Sequence, residues 1–234
     1  MTESPQQEEE EKKGDFFDKV GGRENFNKAL YGITKGIGGL FLDAFTNLKI
    51  KGKENVPLHD KAILTTISDN IFRDMLAITQ LTGRQIHFML SPKLIRHQIA
   101  GPVLKTLGMF RSTESKEDQE PVDKVFEFLN EKNDLVAMTP ESKLDDETQL
   151  KAMAAIIKFA VAGDAPIIPL KVYTEKTRLF NIFEIDGIIV HVGSPIEVDK
   201  KLNRDRHRDE RYELAKGILE IINSLRNSNQ LKSE

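Results

Sequence analysis

Short apolar runs alternate with amphipathic helical patterns along most of the chain, from residue 48 onward. A short apolar run indicates a buried strand, and apolar residues at steps of three and four indicate a helix that buries one face. Repeated strand–helix alternation is typical of an α/β domain with a largely parallel sheet. The predicted strands are 62–67, 85–90, 108–111, 135–138, 167–173, 180–183 and 188–192, the last two around a turn at 186–187, and the predicted helices are 72–81, 93–107, 122–130, 148–162 and 210–225.

Composition excludes several kinds of site. The chain has no cysteine, so disulfides, a thiolate nucleophile and cysteine zinc ligands are excluded. Its five histidines show no HxxxH or HExxH spacing, so we predict no histidine metal site. The formal net charge is −3, and residues 1–14, with five Glu and two Lys, carry all of it. The remainder has as many basic as acidic side chains, which argues against a nucleic-acid partner.

The N-terminal part of the chain differs from the rest. Residues 1–20 are predicted to be a disordered acidic tail, which is neither a secretory signal nor a transit peptide. Residues 21–48 are predicted to contain an amphipathic helix, which either packs on the core or lies in a membrane interface. Residues 49–228 are then the α/β domain. No window has the ~18 uninterrupted apolar residues that a spanning helix needs.

Two polar segments directly follow predicted strands, at 67–74 and 138–144. In parallel sheets the site lies at the carboxyl ends of the strands, so these positions allow Asp69, Asp74 and Glu141 to converge there. The competing interpretation is helix capping by Asp69 and the asparagine after it, since both residue types are favoured at helix N-termini.

Five short motifs follow one another in order: GKENVP at 52–57, a strand and helix start at 61–74, PE at 140–141, APIIPL at 165–170 and IVHVGSPI at 189–196. Together they resemble the glycerophospholipid acyltransferase family, typified by the 1-acylglycerol-3-phosphate acyltransferases. The resemblance implies a mixed, mostly parallel sheet flanked by helices, to which the amphipathic N-terminal helix predicted above is added. It also implies acyl transfer to a lysophospholipid-type acceptor, with acyl-CoA or acyl carrier protein as donor and no other cofactor.

The first of the family's catalytic motifs is altered. In the family, a histidine acts as general base and an aspartate five residues later orients it. Asp74 matches that aspartate, but Asp69 stands in place of the histidine. An aspartate has an ordinary pKa of about 3.9 against about 6.5 for histidine, so Asp69 is the weaker base. A general base increases the reaction rate by about 10²–10⁴-fold, so we expect its loss to abolish nearly all activity by the standard mechanism.

The positions that bind substrate phosphate in the family are altered as well. The arginine of the second motif falls on Glu114, and Arg111 is the nearest arginine. The third motif keeps Glu141, but Ser142 and Lys143 replace its glycine and threonine, and its arginine is lost. We take Arg111, Ser142 and Lys143 as candidate substrate contacts, although a lysine cannot form a bidentate guanidinium clamp.

Three functions fit these residues. The first is a non-catalytic protein of this fold that binds a lipid, an acyl carrier or a protein partner. The second is an active acyltransferase in which Asp69 is the base, or in which Asp69, Asp74 and Glu141 bind Mg²⁺ or Ca²⁺. The third is a membrane-interface adaptor in which residues 24–48 matter most. Three positions that serve one reaction are altered together, so we favour the interpretation that catalysis is lost or impaired. We expect no bound metal. We expect the protein to be cytoplasmic, either free or at a membrane surface. The oligomeric state is left open.

Overall fold

Seven strands form one mixed sheet in the computed structural model, which describes residues 27–36, 47–115, 117–179 and 183–227. The strands are β1 (Lys49–Lys51), β2 (Ala62–Thr65), β3 (Ile86–Leu90), β4 (Phe110–Arg111), β5 (Leu135–Met138), β6 (Ile167–Leu179) and β7 (Phe183–Val192). Their order across the sheet is β1-β7-β6-β2-β5-β3-β4. Only β6 and β7 pair antiparallel in this described sheet, which confirms the predicted α/β fold with mostly parallel strands.

Helices cover both faces of the sheet. The helical segments are α1 (27–36), α2 (Ile71–Thr79), α3 (Pro92–Ile95), α4 (Ala100–Thr106), α5 (Glu120–Phe126, continued by a π-helical turn at Glu127–Glu131), α6 (Asp146–Gly163) and α7 (Arg208–Asn227). Successive strand residues face opposite sides, so Leu64 packs with α1–α4 and its neighbour Ile63 packs with α5–α7. The sheet is therefore the centre of a three-layer domain with an apolar core on each face.

Three predicted elements differ from the structure. The predicted helix 93–107 is two short helices, because the chain folds back between them; a Cβ at Gly101 would lie 2.3 Å from the Ile95 carbonyl oxygen. The predicted turn at Asp186 and Gly187 is wrong, because both residues pair with β6 in an unbroken ladder that satisfies their backbone groups. Strand β1 was not predicted, since its middle residue Ile50 is flanked by lysines and gives no apolar run.

The described part of the predicted N-terminal helix, α1, packs against the domain. The Tyr31 side chain is buried, and its hydroxyl accepts a hydrogen bond from the Ile86 N–H at 3.1 Å. Leu30 packs on the same core, and the Lys35 ammonium donates to the Thr82 carbonyl. The predicted acidic tail lies outside the described residues, as do residues 21–26 and 37–46 of the segment predicted to contain the helix. Its last two residues, 47 and 48, are not helical. No helix in the described ranges is long and apolar enough to cross a membrane.

Candidate functional site

The two polar segments predicted to form the site lie side by side at the carboxyl edge of the sheet. The parallel pairing of β2 with β5 continues past the strand ends, where the Ser68 N–H donates to the Pro140 oxygen at 3.0 Å. The Ser142 N–H in turn donates to the Ser68 oxygen at 2.8 Å, so Ser68 and Glu141 form a parallel bridge. Backbone hydrogen bonds between neighbouring strands therefore hold the segments together.

Helix α2 begins directly after this bridge. The Asn70 side chain caps the helix by accepting a hydrogen bond from the Arg73 N–H at 3.1 Å. The capping interpretation is therefore right for Asn70, whereas Asp69 does not cap the helix. This start places Arg73 and Asp74 in the first turn, at the same edge as Asp69.

Arg73 joins the two aspartates of the first motif. Its Nε donates to Asp74 Oδ1 at 2.8 Å, and its terminal nitrogen pairs with Asp69 Oδ1. The Asp74 side chain is 1% exposed, whereas the Asp69 side chain is 66% exposed. Two carboxylates that contact the same guanidinium would repel each other in its absence, so the Arg73 guanidinium is what allows both to lie here.

Asp74 is buried and only partly compensated. Burial raises the pKa of its carboxyl, while hydrogen bonding by Ser68 and Arg73 opposes that rise. Ser68 Oγ and Asp74 Oδ2 are nevertheless both buried without a hydrogen bond of ordinary geometry. The Ser68 hydroxyl is thus close enough to lower the Asp74 pKa, but it does not satisfy the carboxylate in this geometry.

Unpaired buried hydroxyls gather at this edge. Besides Ser68 and Asp74, Thr66 Oγ1 and Thr139 Oγ1 are buried without a hydrogen-bond partner among the described residues. Thr66 and Ser68 follow β2, and Thr139 follows β5, the neighbouring strand. Buried polar atoms are normally hydrogen-bonded, so these unsatisfied atoms could form hydrogen bonds with a ligand hydroxyl or with water.

The predicted contacts of the third motif are at the surface. Glu141, Ser142 and Lys143 are exposed, and the side chains of Glu141 and Lys143 form no ion pair within the part of the chain that the structure describes. Glu141 therefore does not join the Asp69–Asp74 pair through Arg73. The Ser142 carbonyl accepts a hydrogen bond from Gln149 at 3.2 Å, which ties this loop to α6.

Arg111 is occupied by acidic neighbours. Its guanidinium pairs with Asp118, with one contact at 2.8 Å, and with Glu120 at 2.6 Å. Arg111 and the backbone N–H of Glu114 lower the pKa of Asp118 to about 2, which keeps that carboxylate charged. Glu114 pairs with Arg96 at 2.5 Å.

Because β4 is three strands from β2, Arg111 lies about 14 Å from the line of β2. The structure thus does not bring this candidate phosphate contact to the aspartates.

Lys171 is a residue of the site that the sequence analysis missed. It lies on β6, half-buried, and its pKa is lowered by burial and by Arg226, while Asp69 and Asp74 act in the opposite direction. The register of β6 against β2, in which Thr65 pairs with Pro169, places Lys171 level with the start of the first motif. The available signal was a lysine that interrupts the apolar strand IIPLKVY, just as Arg73 was visible one residue before Asp74.

The arrangement does not resemble a metal centre. No group of three or more His, Asp or Glu side chains in the described ranges could hold a metal ion. The version of the second hypothesis that uses Asp69, Asp74 and Glu141 as ligands thus has no support from the geometry. A cleft of about 760 Å³ lies elsewhere, where α1 meets the amino ends of β3 and β5, so it is separate from this edge.

Comparisons with known proteins agree with this fold. The crystal structure of PlsC, a 1-acyl-sn-glycerophosphate (LPA) acyltransferase from Thermotoga maritima, matches with a TM-score of 0.58 at 14% identity, over 91% of this chain and 82% of that one. At this identity the likeness concerns the fold alone. No curated protein sequence matches the chain. The family model named Acyltransferase matches residues 47–173, which is more than half of the 234 residues. With its sheet, its strand-end motifs and this match, the chain belongs to the acyltransferase family.

Proposed function

We propose that this member of the acyltransferase family has lost acyl transfer by the histidine mechanism and retains binding of a lysophospholipid-type ligand. The observation that carries the proposal is the shared guanidinium of Arg73, which pairs with both Asp69 and Asp74. Because Arg73 contacts an Oδ1 of each carboxylate, these two oxygens are already engaged and are not free to accept a proton from a substrate hydroxyl.

Asp69 and Asp74 cannot reproduce the family's pair of a general base and an aspartate that orients it. An imidazole takes a proton on one nitrogen while the other nitrogen is held by the aspartate, which is the role of such a pair in general-base catalysis. Asp69 has no second donor through which Asp74 could orient it. Asp74 instead bonds Arg73, so its interaction stabilises a cation and not a base.

Activity measurements on the full chain test the loss of transfer. The purified protein is assayed with lysophosphatidic acid and either acyl-CoA or acyl carrier protein as donor, beside the variants Asp69→Asn and Asp74→Ala. We expect the rate of acyl transfer with each of the three proteins to be no higher than the background rate without protein. Turnover by the natural chain that either variant abolishes would contradict the proposal.

Binding measurements test the retained ligand. We expect the natural chain to co-sediment with vesicles that contain lysophosphatidic acid more strongly than with vesicles of phosphatidylcholine alone. Equal recovery on both vesicles would refute binding of a lysophospholipid, even if no turnover is found.

A second candidate function is membrane-interface binding by the carboxyl edge itself. Phe72 is 51% exposed in the first turn of α2, and Leu144 is exposed in the loop after β5. Ile99, 81% exposed, follows α3 on the carboxyl side of β3. A contiguous apolar patch formed by these side chains would favour an interface with lipid or protein. Vesicle binding that Phe72→Ser and Ile99→Ser reduce, while Ile221→Ser on α7 does not, would support this function.

A further inference from the structure

Basic side chains stand next to one another across three strands. Lys51 on β1 pairs with His191 on β7, and His191 pairs with Lys171 on β6. Directly opposed residues project from the same face, on strands about 4.8 Å apart. Helix α7 adds Arg226, whose guanidinium lies 5.9 Å from the ring of Tyr173, two residues after Lys171. A row of nitrogen-bearing side chains, with a lysine at each end, therefore crosses this face.

The row ends beside the first motif. The last described pair between β2 and β6 is Thr65 with Pro169. Lys171 is two residues further along β6, so it lies level with the segment that leads from β2 into Ser68 and Asp69. The influence of Asp69 on the pKa of Lys171 agrees with this placement.

Lys171 is poorly compensated for a half-buried cation. Its ammonium donates to Asn223 Oδ1 at 3.5 Å, the limit of a hydrogen bond, and forms no ion pair within the described ranges. The two carboxylates that act on its pKa, those of Asp69 and Asp74, are already shared with Arg73. Burying a charge without a partner is costly, so a negatively charged ligand beside Lys171 would gain its full attraction.

We propose that Lys171, with His191 and Arg226 beside it, forms a subsite for the phosphate monoester of a bound ligand. His191 Nδ1 contacts the Leu225 carbonyl at 2.7 Å, which fixes the orientation of the ring in the row. The inference rests on the proposed function, because it names the part of a lysophospholipid-type ligand that the chain recognises. It places phosphate recognition on β6, away from Arg111, whose guanidinium is held by Asp118 and Glu120.

Charge-removing and charge-keeping variants of the full chain test the subsite. Lys171→Gln is expected to weaken binding to vesicles containing lysophosphatidic acid by about tenfold or more, as the loss of a charge-assisted contact. Lys171→Arg is expected to keep most of the binding, and Arg226→Gln to weaken it less than Lys171→Gln. Lys216→Gln, an exposed lysine on α7, is the matched control and should leave binding unchanged. Circular dichroism and urea unfolding establish that each variant is folded.

The choice of lipid separates this inference from the proposed function. Binding to lysophosphatidylcholine, whose phosphate is a diester beside a cationic choline, should be the same for the natural chain and Lys171→Gln. Equal binding of lysophosphatidic acid by both proteins would overturn the subsite and leave the proposed function standing. An equal loss for both lipids would also overturn it. Glycerol 3-phosphate serves as a water-soluble phosphate monoester in the same binding test. If its binding is weakened by Lys171→Gln to the same extent, the result would support the subsite for water-soluble phosphate monoesters as well.

Discussion

The Arg73 guanidinium and the Asp74 carboxylate form an ion pair at the start of α2, with 2.8 Å between Nε and Oδ1. The Asp74 side chain is 1% exposed and that of Arg73 is 19% exposed, so solvent screens this pair weakly. The strand end and the helix start thus hold a cation–carboxylate pair. The stability and the pH dependence of the protein both follow from it.

Replacement of Arg73 by methionine should destabilise the protein. The variant would leave the buried Asp74 carboxylate without its counterion, and breaking a buried pair from one side costs about 3 kcal/mol in the free energy of unfolding. Urea unfolding at pH 7 measures this loss. Arg178→Met, which removes an exposed arginine of β6, should stay within about 0.5 kcal/mol of the natural chain. An equal effect of the two variants would show that the Arg73–Asp74 pair contributes nothing specific.

The pH dependence of stability should carry a signature of Asp74. Burial raises its pKa in the folded protein above the ordinary value of 3.8, so folding favours the protonated carboxyl. Its contribution is fully present below the ordinary pKa and is lost as the pH rises through the folded pKa. The free energy of unfolding of the natural chain minus that of Asp74→Asn should therefore fall as the pH rises from 3.5 to 7. A difference that grows with pH would mean that Arg73 outweighs burial.

Asp118 should behave in the opposite way. Arg111 and the Glu114 N–H lower its pKa from the ordinary 3.8 to about 2. Its contribution is present above the ordinary pKa and is lost as the pH falls from 3.8 towards 2. Unfolding of the natural chain and Asp118→Asn, compared between pH 2 and pH 5, should give curves that converge at low pH. Parallel curves would contradict the Arg111–Asp118 pairing.

Docking of α1 should depend on the Tyr31 hydroxyl. Tyr31→Phe leaves the buried Ile86 N–H without an acceptor, at a cost of about 1–3 kcal/mol. Hydrogen exchange at the Ile86 amide should speed up in the variant. Tyr212→Phe, whose hydroxyl makes no hydrogen bond in the described structure, is the control and should leave that amide unchanged. Unaltered exchange in Tyr31→Phe would place α1 elsewhere in solution.

Gly52, between β1 and the turn that follows it, should not accept a side chain. Its φ is 71°, and a Cβ would lie 2.2 Å from the Val192 backbone oxygen. Gly52→Ala should lower the free energy of unfolding by at least about 2 kcal/mol, from the left-handed backbone and the clash together. Gly217→Ala, at an open position in α7, should raise it by up to about 1 kcal/mol. A neutral Gly52→Ala would refute this packing.

Elements with a strong local signal were predicted well, and elements that depend on distant partners were not. Helix α6 was expected at 148–162 and lies at Asp146–Gly163, because its apolar steps and its Asp145 cap are local. Strand β1 was missed, because its backbone groups are satisfied only by pairing with β7, far along the chain. The unbroken β7 was missed, because the pair Asp186 and Gly187 resembles a turn, whereas both residues continue the ladder with β6.

From the sequence alone we could predict the alternation of strands and helices, the family resemblance and the presence of Asp69 where that family has a histidine. These follow from residue type and spacing, which are local. The tertiary structure was needed to show that Arg111 lies away from the aspartates, that Asp74 is buried beside Arg73, and that Lys171 is level with the first motif. The pairing of Arg73 with Asp69 is local, since the two residues are four positions apart. Burial and the choice of neighbouring strands are not local, so they cannot be read along the chain.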